Sequence, residues 1–130
     1  MSWIVIASAL LAGGGKIDWQ KGDLPSAFET ARETGEPIMV YFRAGWDRFS
    51  GQLDDGAFSD DVVVTLSEKF IRVLVDCSEK VFYRKMSRTY RLEGLPSVFF
   101  FDARGEKVGS VVGYVPERDA YLQAMREALT

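Results

Sequence analysis

The sequence predicts an α/β sandwich built on a mixed central sheet, with elements in the order β-α-β-α-β-α-β-β-α. Three observations carry this. Short continuous apolar runs, as expected of strands covered on both faces, alternate with segments whose apolar residues recur at helical spacing. Strands separated by helices imply parallel crossovers, whereas the turn Asp102-Ala103-Arg104-Gly105 folds the last two strands into an antiparallel hairpin. A length of 130 residues, 47% of them hydrophobic, suits one domain able to bury a core without covalent staples.

Ile17-Asp18-Trp19 reads as a short first strand. Asp23 can cap a helix that tolerates Pro25 in its first turn, and Leu24, Ala27, Phe28 and Ala31 form its apolar face. Gly35 and Pro37 stop that helix, and Ile38-Met39-Val40-Tyr41-Phe42 is the next strand. After a polar break at residues 45–50, Leu53, Ala57, Phe58, Val62, Val63, Leu66 and Phe70 continue at helical spacing. Ser59-Asp60-Asp61 places a second cap among them, which predicts a kink or a split. Ile71-Arg72-Val73-Leu74-Val75 is a strand ending at Asp76-Cys77. Residues 81–90 form a helix closed by Gly94, and Val98-Phe99-Phe100-Phe101 is a buried strand. Residues 107–112 complete the hairpin. Pro116 opens a last helix with Tyr121, Ala124, Met125 and Ala128 on one face.

Residues 1–15 stand apart. Residues 3–12 are apolar except for one serine, and Gly13-Gly14-Gly15 follows as a linker to a domain spanning 16–130. The apolar stretch is far shorter than the roughly 20 residues that span a bilayer as a helix. It reads either as the apolar part of an export signal or anchor, or as an extra element packed on the domain. The export reading points to the periplasm or cell envelope, although no Lys or Arg precedes Lys16. Membrane contact is expected only through this segment.

Composition removes much familiar chemistry. Without histidine, Ser-His-Asp and Cys-His nucleophiles and imidazole acid–base catalysis are excluded. One cysteine, Cys77, excludes an internal disulfide, a Cys-x-x-Cys pair and a multi-cysteine metal site. With 16 basic against 19 acidic side chains, the net charge of −3 argues against a nucleic-acid-binding surface. No cofactor is implied. Asp54, Asp55, Asp60 and Asp61 lack the spacing and terminal glutamate of a calcium loop, so no metal site is expected.

The element order, with four local motifs in register, resembles the thioredoxin fold, a three-layer α/β/α sandwich. It is most similar to the thioredoxin-like domains of thiol:disulfide interchange proteins. Phe42-Arg43-Ala44-Gly45-Trp46-Asp47-Arg48-Phe49-Ser50 stands where that family carries aromatic-x-Ala-x-Trp-Cys-x-x-Cys. Leu53, Phe58-Ser59-Asp60, Val63 and Val75-Asp76 follow in the order of that branch. Gly94-Leu95-Pro96-Ser97 resembles the family's Gly-x-Pro-Thr, and Phe99-Phe100-Phe101-Asp102 with Gly105 its strand and hairpin. The resemblance covers residues 17–129.

It also implies where this chain departs. Both family cysteines are replaced, by Asp47 and Ser50, and the buried acid of many thioredoxins corresponds to Tyr41. A carboxylate can use the field of a helix N-terminus but cannot attack a disulfide. Asp47 and Ser50 therefore read as helix caps, and dithiol oxidoreductase activity is not expected. The resemblance implies a redox-inactive module binding a protein or extended peptide beside Trp46, Phe49, Leu95 and Pro96. The family's proline is cis, and the residue before it offers backbone groups to a partner strand. The alternative is a one-cysteine thiol enzyme or redox sensor using Cys77, which strand order places on the same sheet edge as Asp47. Arg84, Arg88 and Arg91, at i, i+4 and i+7, form a basic stripe: either a solvated face, or a docking surface for an acidic partner or an anionic membrane.

Overall fold

The computed structural model describes residues 16–130 except Gly22; the leader and linker expected at residues 1–15 lie outside the described residues. A mixed sheet carries strands β1 (Gln20–Lys21), β2 (Ile38–Arg43), β3 (Ile71–Asp76), β4 (Ser97–Phe101) and β5 (Lys107–Val112) in the order β1-β3-β2-β4-β5. Helices α1 (Leu24–Thr34) and α4 (Lys80–Tyr90) cover one face. Helices α2 (Arg48–Asp55), α3 (Asp61–Ser67) and α5 (Arg118–Ala128) cover the other, with a 3-10 turn at Ala57–Ser59 between α2 and α3. The three-layer α/β/α architecture is as the sequence predicts.

The apolar run of β2 is continuous because successive side chains enter opposite layers and both layers are covered. Ile38, Val40 and Phe42 pack with Leu24, Ala27 and Ala31 of α1. Met39 and Tyr41 pack with Leu53, Phe58, Val63 and Tyr121. β4 divides likewise, Phe99 and Phe101 to the first layer and Val98 and Phe100 to the second. Edge-to-face ring contacts knit the layers, including Phe42–Phe99 at 5.3 Å and Tyr41–Phe58 at 4.9 Å.

Several local expectations change. The first strand forms at Gln20–Lys21 against Val73 and Leu74, not at residues 17–19. There the Trp19 N–H bonds the Ile17 carbonyl, so the chain bends and sends Ile17 and Trp19 into the core. Asp23 takes the N-cap position of α1, but its carboxylate accepts from the Ser26 hydroxyl instead of a backbone N–H. The long second helical segment is split: Asp60 accepts from Val62 and Val63 N–H and starts α3. α4 ends at Tyr90, before Gly94, because Arg91 adopts a left-handed conformation (φ 56°) and Leu92 packs back onto the core. α5 begins at Arg118, with Glu117 as N-cap.

The largest difference concerns strand direction. A helix separates β3 from β4, yet β4 runs antiparallel to β2, while β3 and β1 are parallel to it. α4 and residues 91–96 bring the chain back to the sheet edge it left. Asp76 ends β3 opposite Arg43, and Ser97 starts β4 opposite Phe42. A parallel strand would have required the connection to cross the whole sheet.

Because Phe42 has no exposure and fills the α1/α4 layer, Phe42→Ala should cost about 3–5 kcal/mol, read as a lowered urea midpoint at unchanged slope.

Candidate functional site

The antiparallel return of β4 collects the ends of three strands at one edge. From the end of β2, Ala44 is buried, Gly45 and Trp46 turn outward, and the Asp47 N–H bonds the Ala44 carbonyl. Asp47 is the N-cap of α2. Its carboxylate accepts from Phe49 N–H (3.4 Å), Ser50 N–H (3.2 Å) and the Ser50 hydroxyl (2.8 Å). Ser50 is fully buried, so its hydroxyl cannot meet a substrate. Asp47 and Ser50 thus satisfy one another and the first turn of the helix. Neither is a nucleophile placed for attack.

Beneath them lies a polar group the sequence did not reveal. The Tyr41 hydroxyl is 2.8 Å from Asp54 Oδ1 and 2.9 Å from the Ser50 carbonyl oxygen, and Arg43 donates to Asp54 Oδ2 at 2.8 Å. Burial, then the neighbouring Asp54, raises the Tyr41 phenol far above its ordinary range, so it remains a neutral donor. Asp54 therefore locks α2 onto β2. Asp60 is likewise engaged, as the α3 cap and in an ion pair with Arg118 at 2.8 Å.

Trp46 is 61% exposed and Phe49 40%, but both are held in place. The Trp46 indole N–H donates to the Ser78 carbonyl at 2.8 Å, and its ring lies 6.3 Å from Tyr83. The Ser78 hydroxyl accepts from Gly45 N–H and donates to Asp76, whose carboxylate also accepts the Ser78 N–H. Phe49 stacks on Tyr114 at 5.7 Å. The Leu95–Pro96 peptide bond is cis; Leu95 is half-buried and Pro96 is buried. The Pro96 carbonyl accepts from Gly113 N–H at 2.8 Å, which ties the segment to the chain leading into Tyr114. The β2–β4 register places Leu95 and Pro96 beside Arg43 and Ala44, so the structure brings Trp46, Asp47, Phe49, Leu95 and Pro96 to one edge.

Sequence reasoning missed Ser78, Tyr83 and Tyr114. Asp76-Cys77-Ser78 carries a local turn signal, aspartate bonding a serine two residues on, that could have suggested the first. Nothing in the pattern marks Tyr114.

Cys77 shares this edge, its N–H bonding the Arg43 carbonyl at 2.7 Å, but its side chain has no exposure and packs among Phe42, Val75 and Tyr90. Burial, then the charge of Asp76, pushes its thiol from 9.0 up to about 11. A reactive thiolate needs the opposite shift, so Cys77 has the character of a core residue. Arg84 and Arg88 are exposed on α4, whereas Arg91 has left the helix, which breaks the expected three-residue stripe. Among the described residues no cluster of His, Cys, Asp and Glu could hold a metal ion, and no helix is long and apolar enough to cross a membrane.

A mixed sheet between two helical layers, with a capped helix and a cis proline at one edge, defines an α/β/α domain of the thioredoxin class. The match of residues 24–129 to the thioredoxin-like domain model shows that this chain belongs to that family, and its single cysteine leaves it without a dithiol site. A thioredoxin from Thermus thermophilus is 25% identical with a TM-score of 0.71, covering 88% of this chain and 89% of that one. A putative disulphide-isomerase from Bacteroides thetaiotaomicron is 20% identical at 0.71, covering 88% and 94%. The reduced C-terminal domain of Neisseria meningitidis DsbD is 20% identical at 0.69, covering 84% and 99%. A search of curated proteins returns no match.

Two outcomes test this geometry. Tyr41→Phe removes the buried donor to Asp54 and should cost about 1–3 kcal/mol in chemical denaturation. Native Cys77 should react with a maleimide far more slowly than the urea-unfolded chain at neutral pH. Its raised folded value also means that stability is fully present below about 9 and declines as pH rises toward about 11, since the unfolded thiol ionises first. Equal labelling of native and unfolded chains would refute the buried placement.

Proposed function

We propose that this domain is a redox-inactive binding module that takes an extended segment of another protein along the groove of Trp46, Phe49, Leu95 and Pro96. The observation that carries the reading is at Leu95. Neither its N–H nor its carbonyl has a hydrogen-bond partner among the described residues, although the neighbouring Pro96 carbonyl is paired. A free donor and acceptor on one residue are what an added strand bonds. Exposed Trp46 and Phe49, each packed against a second aromatic ring, offer apolar anchors at the same sheet edge. Such binding requires no cysteine. The neighbours named above as thioredoxin, disulphide-isomerase and DsbD domain support the fold on which this groove is built, while Asp47 and Ser50 stand where the dithiol would be.

The competing reading, a thiol enzyme using Cys77, loses its support from the buried side chain and raised thiol value.

A crosslinking pull-down with wild type and with Trp46→Ala/Leu95→Asp, both checked for folding by circular dichroism, tests the proposal. Partners captured by wild type should be lost from the double variant, and neither protein should reduce insulin disulfides. Recovery of the same partners by the folded double variant would overturn it.

A further inference from the structure

The outer face of α4 is charged in a way the fold does not explain. Residues 80–91 hold five cations, Lys80, Arg84, Lys85, Arg88 and Arg91, and no carboxylate, in a chain with an acidic balance overall. All five are exposed, and none forms an ion pair among the described residues. Glu79 is committed to the helix N-cap, where it accepts from Val81 and Phe82 N–H, and it senses Arg84 only at longer range.

Helix stability accounts for part of this at most. Arg88 and Arg91 sit at the carboxyl end, where cations favour the helix dipole. Lys80 occupies the first helical position and Arg84 follows one turn later, toward the end where carboxylates are preferred. α4 also buries none of its residues fully. Tyr83, Met86 and Tyr90 turn to the sheet, and Val81 is 66% exposed among the cations, with Phe82 36% exposed beside them. An apolar side chain surrounded by unpaired cations is the pattern of a contact face.

We propose that the outer face of α4 is a docking surface for an acidic segment of a partner protein. This surface is distinct from the Leu95 groove and does not depend on it. Lys80, Arg84 and Arg88 repeat every four residues, a spacing of about 6 Å along the helix. That rise matches carboxylates four apart on a partner helix, and nearly matches alternate residues of an extended chain at about 6.6 Å. An apolar residue between them would cover Val81. A membrane fits less well. The exposed apolar residues of α4 are confined to its first turn, and the net charge of −3 opposes approach to an anionic leaflet, whereas a docked segment senses only the local field within a Debye length of about 8 Å.

The test is fluorescence anisotropy with a labelled synthetic peptide carrying glutamate at every fourth position around leucine, against its glutamine twin. Wild type should bind the glutamate peptide, lose affinity with added salt and ignore the twin. Arg84→Glu/Arg88→Glu should weaken binding by about tenfold or more, since two attractive pairs are lost and the reversal adds repulsion. Arg84→Gln/Lys85→Gln should weaken it less, and Lys69→Glu/Arg126→Glu, the same charge change on the opposite layer, should leave it intact. Equal binding of the two peptides, or unchanged affinity in the α4 variants, overturns the proposal. So does α4-dependent sedimentation with phosphatidylcholine–phosphatidylglycerol vesicles without peptide binding, which would make the partner a membrane.

Discussion

Strand β2 is the constraint on which the rest of this structure depends. From Ile38 to Phe42 its residues have no solvent exposure, with parallel β3 on one side, antiparallel β4 on the other and a helical layer over each face. Successive side chains alternate between the layers, so a single strand ties both halves of the core together. Its register against two neighbours also fixes where Arg43 ends the sheet. The turn to Asp47, the position of Cys77 and the start of β4 are all placed relative to that point.

At that edge the replaced dithiol position forms a completed set of hydrogen bonds and leaves no empty socket. Asp47 uses the N–H groups of a helix start, and Ser50 turns its hydroxyl inward to the same carboxylate. Below, Tyr41, Arg43 and Asp54 bind α2 to β2 through polar contacts in partly buried surroundings, with Arg43 Nε left without a partner among the described residues. Asp47 and Ser50 are therefore engaged with one another and with the start of α2. Trp46 and Phe49 expose aromatic surface there, and Leu95 has no backbone hydrogen-bond partner among the described residues; the proposed recognition role rests on these features.

Charge is segregated on a larger scale. Carboxylates near the site are spent on caps and clamps: Asp47 on α2, Asp60 on α3 and Arg118, Glu79 on α4, and Asp54 on Tyr41 and Arg43. The cations of α4 form no ion pair among the described residues. An acidic protein that carries such a basic helix presents two kinds of surface, and this asymmetry underlies the proposal that α4 meets an acidic partner independently of the groove.

The sequence by itself determined the composition of the layers and the absence of dithiol chemistry. Apolar periodicity is a local signal, and it located β2, β4, α1, the split after Ser59 and the inward face of α5. The positions of Asp47 and Ser50 were legible because each replaces a residue in a recognisable run. Only tertiary structure decided the rest. Strand direction depends on where a connection returns, which is why β4 proved antiparallel although a helix precedes it. Asp54, Ser78 and Tyr114 matter through partners distant in sequence: Tyr41 for the first, Gly45 and Trp46 for the second, and Phe49 for the third. Cys77 shows the division most plainly. Its place at a strand end was readable, but whether its thiol faced solvent depended on α4 and the sheet closing over it, and burial made it part of the core.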